Sequence, residues 1–441
     1  MKLPNRLILS FLCSVICLLL TAPSLIHAQD QRPLYLLTSN VNSRLSSIWE
    51  YEVGDAQATR IFTLQQTQRK NGDLFSAHEL AAMRTYVKDY GRGEIGWGED
   101  YSPTQDIWAI WQLDSQHLLL QTTNDFQDGW GRTAATAGLG RFGYYEFLIL
   151  DLTTWQLKSI FTMDYHDPIT NDWEGTSIPF VQITGVQINP TQNQLALMLI
   201  PTSRWLTTFE SSILIVNYST LPAKVTHLPR TYSPVWSLDG TRLAYWQTQC
   251  ECKNNEVTTF SLALQIYTPA MSVFTTAMVY PKLTDRIPLD GFTHGLAWIA
   301  NDKFIYSLEM IWLGGGDRPQ EEIFDLNTNT RIPFETKNLI PRIFFTFGQG
   351  GEPTYLLGRG YDDTTANVYS TDSSFKMLLS LPVSNATYNP RNPDRVIIYP
   401  VNNSMTDEKQ VILLDADLHQ TPIEISKILP ADEWFFDNIA P

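Results

Sequence analysis

Short runs of apolar and β-branched residues recur along the chain, and turn-forming residues separate them. The clearest example is YSPVWSLDGTRLAYW, from Tyr232 to Trp246. One apolar run ends at Trp236, Asp239 and Gly240 follow as the turn, and a second apolar run comes next. An Asp-Gly pair between two apolar runs is typical of a β-hairpin, because glycine adopts positive φ angles without steric cost. The segment therefore predicts two antiparallel strands.

Degenerate copies of this hairpin occur elsewhere in the chain, and a second hairpin follows each of them. The copies begin at Ile110, Val186, Leu296, Phe345 and Ala386. The second hairpins have two or three apolar residues, an Asp or Asn, a turn and another β run, and they begin at Phe147, Ile213, Glu322, Val368 and Val411. Each unit thus predicts four strands. Four-stranded units that recur at roughly 40 to 50 residues are typical of β-propeller blades.

The first unit lacks its innermost strand. Runs that begin at Leu34, Ser46 and Thr59 supply three strands, and the C-terminal segment EWFFDNIA, Glu433 to Ala440, is an unassigned run of strand length. We expect this segment to complete the first blade and close the ring, which removes an open sheet edge. The predicted fold is all-β, a single propeller of seven four-stranded blades. Six or eight blades also fit the spacing, because insertions stretch the early units.

The unit around Trp236 resembles the repeats of TolB-like, or WD-like, β-propellers, whose pattern is close to Trp-Ser-Pro-Asp-Gly followed by an apolar strand. Here Leu238 stands where that pattern has proline. The resemblance extends over most of the chain after the N-terminal segment, although this one copy alone is nearly complete. It implies an extracytoplasmic propeller that serves as a binding or scaffold module, and it transfers no catalytic residue.

The N-terminal segment has the order of a secretory signal peptide. Lys2 and Arg6 precede an apolar run of 14 residues, Leu7 to Leu20, and the small residue Ala28 follows. We expect residues 1–28 to be a signal peptide and residues 29–441 to be a secreted or periplasmic propeller with no membrane span, although an uncleaved anchor is an alternative.

Charge and cysteine content narrow the class of protein. Acidic residues outnumber basic ones 46 to 31, for a net charge of −15. A nucleic-acid binder is therefore not expected, because phosphate recognition needs a basic surface. Two of the four cysteines, Cys250 and Cys252, lie outside the signal segment, and we expect them at a loop tip. They are expected to be two free thiols or a local disulfide; the alternative is half of a soft-metal site.

The long insertions all fall at one end of the blades. With strands lettered A to D from the axis outward, the A–B and C–D turns lie on one face and the B–C and D–A loops on the other. The insertions occupy B–C or D–A positions: Gln65 to Gln105, Thr123 to Gly143, Asp164 to Val181, Thr202 to Glu210, Gln249 to Thr258 and Trp312 to Gln320. The three largest flank blades 1 to 3, and long loops in compact domains are usually functional or disordered.

The insertion at residues 65–105 predicts a helix of its own. Ser76 and Glu79 form a capping box, apolar residues follow at helical spacing, and Gly91 suits the C-terminal cap. We expect an amphipathic helix over residues 76–90 that packs on the ring, with a partner-binding helix as the alternative.

The loops of blades 1 to 3 are rich in glycine, aspartate and tryptophan, which suits a sugar ring with its apolar face and polar rim. The candidate binding residues are Trp97, Asp125, Asp128, Trp130, Asp164, His166, Asp167, Asp172 and Trp173. The alternative is that these tryptophans pin long loops to the ring. The acidic cluster from Asp164 to Asp172 could hold Ca²⁺, although its spacing does not match an EF-hand loop; no other cofactor is expected.

The sequence carries none of the common catalytic motifs. The sequence has no Gly-x-Ser-x-Gly elbow, no His-Glu-x-x-His and no phosphate-binding glycine fingerprint. The sequence therefore predicts a non-catalytic binding or scaffold propeller that engages a protein or glycan through the insertion-rich face of blades 1 to 3. The alternatives are a glycan-active enzyme that uses carboxylates of the loop from Asp164 to Glu174, and a structural spacer in an envelope assembly.

Overall fold

The strands of the chain form seven four-stranded antiparallel sheets. The computed structural model describes residues 32–40, 46–64, 102–127, 143–164, 181–201, 211–253, 256–283, 296–308, 320–333, 339–348, 352, 354–360, 365–372, 375–383, 385–400 and 410–440. Each sheet is one blade, and within a blade the strands follow one another from the axis outward. This arrangement confirms the all-β propeller and the count of seven blades.

Strand bounds in the first three blades are as follows, from the innermost strand outward. Blade 1 consists of β28 (Glu433–Ala440), β1 (Leu34–Asn40), β2 (Ser46–Tyr51) and β3 (Thr59–Thr63). Blade 2 consists of β4 (Ser102–Gln112), β5 (His117–Gln127), β6 (Gly143–Asp151) and β7 (Leu157–Asp164). Blade 3 consists of β8 (Val181–Ile188), β9 (Gln194–Pro201), β10 (Ser212–Asn217) and β11 (Lys224–Pro229).

Blades 4 to 7 follow in the same order. Blade 4 consists of β12 (Thr231–Trp236), β13 (Leu243–Lys253), β14 (Glu256–Thr268) and β15 (Val273–Leu283). Blade 5 consists of β16 (Leu296–Ala300), β17 (Lys303–Leu308), β18 (Gln320–Asp325) and β19 (Thr330–Pro333). Blade 6 consists of β20 (Leu339–Phe347), β21 (Tyr355–Gly360), β22 (Thr365–Ser370) and β23 (Met377–Pro382). Blade 7 consists of β24 (Asn385–Asn389), β25 (Asn392–Tyr399), β26 (Gln410–Asp415) and β27 (Gln420–Glu424).

The C-terminal strand closes the ring as the sequence predicts. β28 pairs antiparallel with β1, with Ala440 opposite Tyr35 and Ile439 opposite Leu36. The Ile439 amide donates a hydrogen bond to the Tyr399 hydroxyl of blade 7 at 3.1 Å, so this strand also contacts the last blade.

The buried apolar side chains form seven clusters, one in each interface between neighbouring blades. Each sheet therefore packs against a sheet on both of its faces. For that reason the middle strands are continuous apolar runs rather than alternating ones, and β10 is buried from Ser212 to Val216.

The innermost pair of every blade is irregular. The register between the A and B strands shifts in all seven blades. The B and C strands, by contrast, keep an unbroken register in six of the seven. A β-bulge bends and twists a strand locally, and the crowded strands around the axis carry this distortion.

An Asp or Asn that ends the second hairpin run caps the C–D turn in blades 2, 3, 5 and 7. The Asp151 carboxylate accepts hydrogen bonds from the Thr153 and Thr154 amides at 2.7 and 2.9 Å, and Trp155 completes the turn with φ of 58°. These backbone hydrogen bonds, that of Thr154 first, lower the pKa of the Asp151 carboxyl group. The repeated acidic residue of the sequence pattern is thus a turn former.

At the insertions, the structure differs from the expected bounds of two loops and does not describe the expected helix. The expected helix at 76–90 lies outside the described residues, and the helix that the described part of the chain contains is α1 (Ile425–Ile428). The insertion expected at 65–105 ends earlier, because β4 begins at Ser102. The ladder between β13 and β14 continues as far as Lys253 and Glu256, so most of the expected loop from Gln249 to Thr258, with Cys250 and Cys252, is strand.

Within the described residues, no helix is long and apolar enough to cross a membrane.

Candidate functional site

A cavity of ≈ 200 Å³ lies where the A–B turns of blades 3 to 7 meet near the axis. It is formed by the ends of the innermost strands and by the turns that follow them. Its walls combine apolar and aromatic side chains with a few polar groups. The lining residues include Val235, Trp236, Ser237, Trp298, Phe345, Phe347, Glu352, Tyr388 and Arg391.

Side-chain hydrogen bonds join blade 3 to blade 4 beside the cavity. The Asn189 amide group donates to the Gly240 carbonyl at 2.8 Å, and the Thr191 hydroxyl donates to the Asp239 carbonyl at 2.8 Å. The Trp236 indole donates to the Gln187 carbonyl at 3.3 Å. Asn189 is fully buried, so these bonds form in an environment where an unpaired polar group would be costly.

The same type of bond continues from blade 4 to blade 6. The Trp298 indole of blade 5 donates to the Val235 carbonyl of blade 4 at 3.0 Å. The Thr346 hydroxyl of blade 6 donates to the Trp298 carbonyl at 2.9 Å. Trp298 therefore bonds to both neighbouring blades, and it is 1% exposed.

Blades 6 and 7 complete the circuit around the cavity. The Gly348 amide donates to the Pro393 carbonyl at 2.9 Å, and the rings of Phe345 and Tyr388 stack with centroids 4.3 Å apart. From blade 7, Arg391 reaches back to blade 3: its Nε donates to the Asn189 carbonyl at 3.0 Å and its Nη2 to the Gln192 carbonyl at 2.6 Å. The A–B turns of five blades are thus linked in a closed series.

Arg391 is the cationic side chain among the described residues that line the cavity. Its Nη2 also lies 3.4 Å from the Tyr218 hydroxyl oxygen. Burial raises the pKa of the Tyr218 phenol, against the opposing effect of the Arg391 charge, so the phenol stays neutral beside the cation. Guanidinium groups are always charged in proteins, and Arg391 therefore places one fixed positive charge at the cavity.

The polar turn of blade 4 is internally satisfied. The Ser237 hydroxyl donates to the Asp239 carboxylate at 2.6 Å, and the Thr241 amide and hydroxyl donate to it at 3.0 and 2.8 Å. Burial acts to raise the pKa of Asp239, but these hydrogen bonds outweigh it and the pKa is lowered. Ser237 is also fully buried, which makes it a structural hydroxyl.

Replacing Gly240 with alanine should destabilise this circuit strongly. Gly240 has φ of +67°, and a Cβ there would lie 2.2 Å from the Asn189 Oδ1 and 2.3 Å from the Thr191 Oγ1. The positive φ costs about 1–2 kcal/mol, and displacement of the Asn189 amide adds about 1 kcal/mol. We expect the free energy of unfolding to fall by about 2–3 kcal/mol, measured by urea denaturation.

The matched control is Gly54→Ala. Gly54 also has a positive φ, +106°, but a Cβ there meets no atom within 4 Å. This variant therefore incurs the backbone strain without the steric clash. If the two variants lost equal stability, the contacts of Asn189 and Thr191 with the turn would contribute nothing.

Two of the candidate binding residues of the sequence, Asp125 and Asp164, lie at the end of blade 2 away from this cavity. In blade 2, Asp125 pairs with Gly143, and the adjacent residue Tyr144 pairs with Asp164. Asp125 and Asp164 are therefore brought to the same end of that sheet, two strands apart, at the B–C and D–A side. The other candidates lie outside the described residues: Trp97, Asp128, Trp130, His166, Asp167, Asp172 and Trp173.

The sequence pattern contains no signal that predicts a binding role for the cavity residues. Trp236 and Trp298 each lie near the end of an innermost strand, a recurrence that the hairpin pattern contains. Arg391 carries no such signal, because its partners are about two hundred residues away along the chain. The sequence pattern also did not predict that Trp108 would be exposed. This residue lies at the register shift of β4, and it is 61% exposed.

Comparison with known proteins gives a likeness at the level of the propeller. No protein-family model matches the chain, and no curated protein matches it. The propeller domain of the Trilobed protease from Pyrococcus furiosus aligns with 11% identity over 72% of this chain and 84% of that chain, at a TM-score of 0.39. The periplasmic gluconolactonase of Pseudomonas aeruginosa aligns with 12% identity over 91% of this chain and 98% of that chain, at 0.44.

The Pyrococcus horikoshii acylaminoacyl peptidase aligns with 11% identity over 72% of this chain, at a TM-score of 0.44. The alignment spans 46% of that peptidase, so the chain matches less than half of its length. Identity and TM-score at these levels support no inference about activity. What the strand order and ring closure establish on their own is that the chain is a seven-bladed β-propeller.

Proposed function

We propose that the chain is an extracytoplasmic propeller that binds a protein or glycan and catalyses no reaction. The observation that carries this proposal is the composition of the cavity wall. Among the described residues that line it, Glu352 is the one carboxylate, and none is His, Cys or Lys. General acid–base catalysis needs positioned proton donors and acceptors, and glycoside hydrolysis usually needs two carboxylates. A wall of this kind favours binding over chemistry.

The polar groups of the wall support the same proposal. Among the described residues, no imidazole or amine lies within hydrogen-bond reach of Ser237; its hydroxyl donates to Asp239 and accepts from the Arg242 amide at 3.0 Å. A nucleophile is activated by a base that readily takes its proton, and the Asp239 carboxylate is a weak base because its pKa is lowered. Arg391 donates to backbone carbonyls, which positions blade turns and leaves the wall rigid.

The macromolecular ligand is proposed to engage the insertion-rich face of blades 1 to 3. Asp125 and Asp164 end up at that side of blade 2, and the candidate tryptophans Trp130 and Trp173 belong to the segments that follow these strands in the sequence. Flat aromatic faces next to carboxylates suit both a sugar ring and a protein hot spot.

A capture experiment tests this function. Immobilised mature chain, residues 29–441, is exposed to envelope extracts and glycan fractions of its host, and the captured material is identified by mass spectrometry. We expect a stoichiometric ligand whose affinity falls about tenfold in Trp130→Ala and in Trp173→Ala, because interface tryptophans commonly contribute more than 1 kcal/mol. Unchanged thermal unfolding of both variants is the control that separates lost binding from lost folding.

The enzymatic alternative makes a different prediction in the same experiment. A captured glycan that shortens with time, with turnover lost in Asp167→Asn or Asp172→Asn, would replace the binding proposal with a glycan-active enzyme. Affinity unchanged in both tryptophan variants would move the ligand away from the insertion-rich face.

A further inference from the structure

We propose that the cavity between the A–B turns of blades 3 to 7 binds a carboxylate that carries an apolar or aromatic group, and that Arg391 receives the carboxylate. The ligand chemistry is that of a peptide C-terminal residue or of a small aryl acid. This site lies at the end of the blades opposite to the insertion-rich face. The proposal for this site is therefore independent of the ligand that is proposed for the insertion-rich face.

The size of the cavity limits what can enter. Pockets for drug-sized ligands measure about 300–1,000 Å³, whereas this one measures ≈ 200 Å³. It accepts a single group of side-chain size. A larger ligand must present such a group at a terminus, which a peptide C-terminus does.

The walls of the cavity are apolar, aromatic and held in place. Trp236 and Phe345 are each 5% exposed, and Trp298 is 1% exposed. The indoles are fixed by their hydrogen bonds to Gln187 and Val235. Preformed aromatic walls bind a flat or aliphatic group with little ordering cost.

Arg391 forms no ion pair with an acidic side chain among the described residues. Its Nε and Nη2 donate to blade 3, and the Nη1 atom has no hydrogen-bond acceptor among the described residues. Two N–H groups of a permanently charged fork therefore remain for a ligand. Hydrogen bonds from guanidinium to carboxylate are short and strong. Because three acceptors already orient the fork, binding an anion requires little rearrangement.

The second charge at the cavity selects for a monoanion. Glu352 lines the cavity and is exposed. Its carboxylate repels a second negative charge on the ligand, and the net charge of −15 adds to that repulsion. A single carboxylate on an apolar group satisfies Arg391 and the aromatic wall together, and a phosphate dianion does so less well.

Calorimetric titration of the wild-type chain with two acid–amide pairs tests this proposal. The probes are 3-phenylpropanoate against 3-phenylpropanamide, and acetyl-Leu-Phe as the free acid against its C-terminal amide. We expect each acid that binds to do so at least tenfold more tightly than its amide, with affinity that falls as salt rises. Binding of both acids in competition identifies a site for small acids as well as peptide ends; binding of the peptide acid alone identifies a peptide C-terminus.

Variants assign the effect to the cavity. Arg391→Met should weaken binding of the acid at least tenfold and leave the amide unchanged, and Arg391→Lys should retain part of the preference. Arg60→Met is the matched control, since Arg60 is exposed on β3 and lies over the Trp49 ring at 5.7 Å. It should bind the acid as the wild type does.

Three results would overturn the proposal. They are equal affinity for acid and amide in the wild-type chain, no binding of either acid at millimolar concentration, and wild-type affinity for the acid in Arg391→Met. The first two need no variant, so they decide the matter even if Arg391→Met fails to fold. A positive capture experiment combined with any of these results would retain the proposed function and remove this site.

Discussion

Removal of residues 433–441 should abolish the cooperative unfolding of the ring. This deletion takes away β28, the innermost strand of blade 1, and exposes the edge of β1. Ile439 and Ala440, 2% and 1% exposed, leave clusters that also contain side chains of blades 7 and 2. The ladder hydrogen bonds and the Ile439 contact with Tyr399 are lost together.

The expected loss is at least about 5 kcal/mol, the lower end of the stability of a typical domain. Urea denaturation of the truncated chain should give a broad transition. The transitions reported by tryptophan fluorescence and by circular dichroism should no longer coincide. The control is Ile439→Val in the full chain, which keeps the strand and should lose about 1 kcal/mol. A truncated chain with wild-type stability would mean that the ring closes without this strand.

A second contact shows why closure depends on this strand's register. The Thr38 hydroxyl of β1 donates to the Glu433 carboxylate at 2.5 Å, and the Trp49 indole of β2 donates to the same Thr38 oxygen at 2.9 Å. Three successive strands of blade 1 are thus connected through one buried hydroxyl. A shift of β28 by one residue would turn its side chains to the other face and would break this connection.

The sequence was sufficient to predict the fold because propeller blades are local structures. The A–B hairpin of blade 4 is predicted by its turn residues Asp239 and Gly240. The C–D turns of blades 2, 3, 5 and 7 are predicted by a capping Asp or Asn. The first unit lacked one strand, and the C-terminal run was the strand-length segment that no unit had used. The sequence therefore predicted that this run completes the first blade. What the turn pattern did not convey was strand length, since β13 and β14 continue by mutual pairing past the point where their turn signals end.

The cavity could not be predicted, because it is made by residues that are distant in the chain. Arg391 meets Asn189 and Gln192 through ring closure, and nothing in their local sequence relates them. The loop composition drew attention to the opposite face of the propeller instead. The A–B turns of five blades converge only in the assembled ring. Arg391, which forms no ion pair with a described acidic residue, lies among these turns.

Replacing Trp298 with alanine should have the second largest effect on stability. The side chain is 1% exposed, and its ring lies at 72° to that of Phe304 with centroids 5.4 Å apart. The Arg242 guanidinium covers it at 5.4 Å. Truncation of a buried tryptophan to alanine costs about 3–5 kcal/mol, and this one also leaves the Val235 carbonyl without its indole donor. We expect a loss in that range in urea denaturation.

Trp298→Phe separates packing from hydrogen bonding at the same position. Phenylalanine keeps an aromatic ring against Phe304 but cannot donate to Val235, so the loss should be about 1–3 kcal/mol, the cost of an unsatisfied buried acceptor. If Trp298→Ala lost no more than Trp298→Phe, the ring would contribute little to the interface of blades 4 and 5. Trp298 also forms part of the cavity wall. Trp298→Ala should therefore weaken the binding of 3-phenylpropanoate as well. Gly54→Ala is the control, because Gly54 is not among the lining residues and the variant should bind 3-phenylpropanoate as the wild type does. Loss of stability without loss of binding would place the apolar group of the ligand elsewhere in the cavity, against the remaining aromatic side chains.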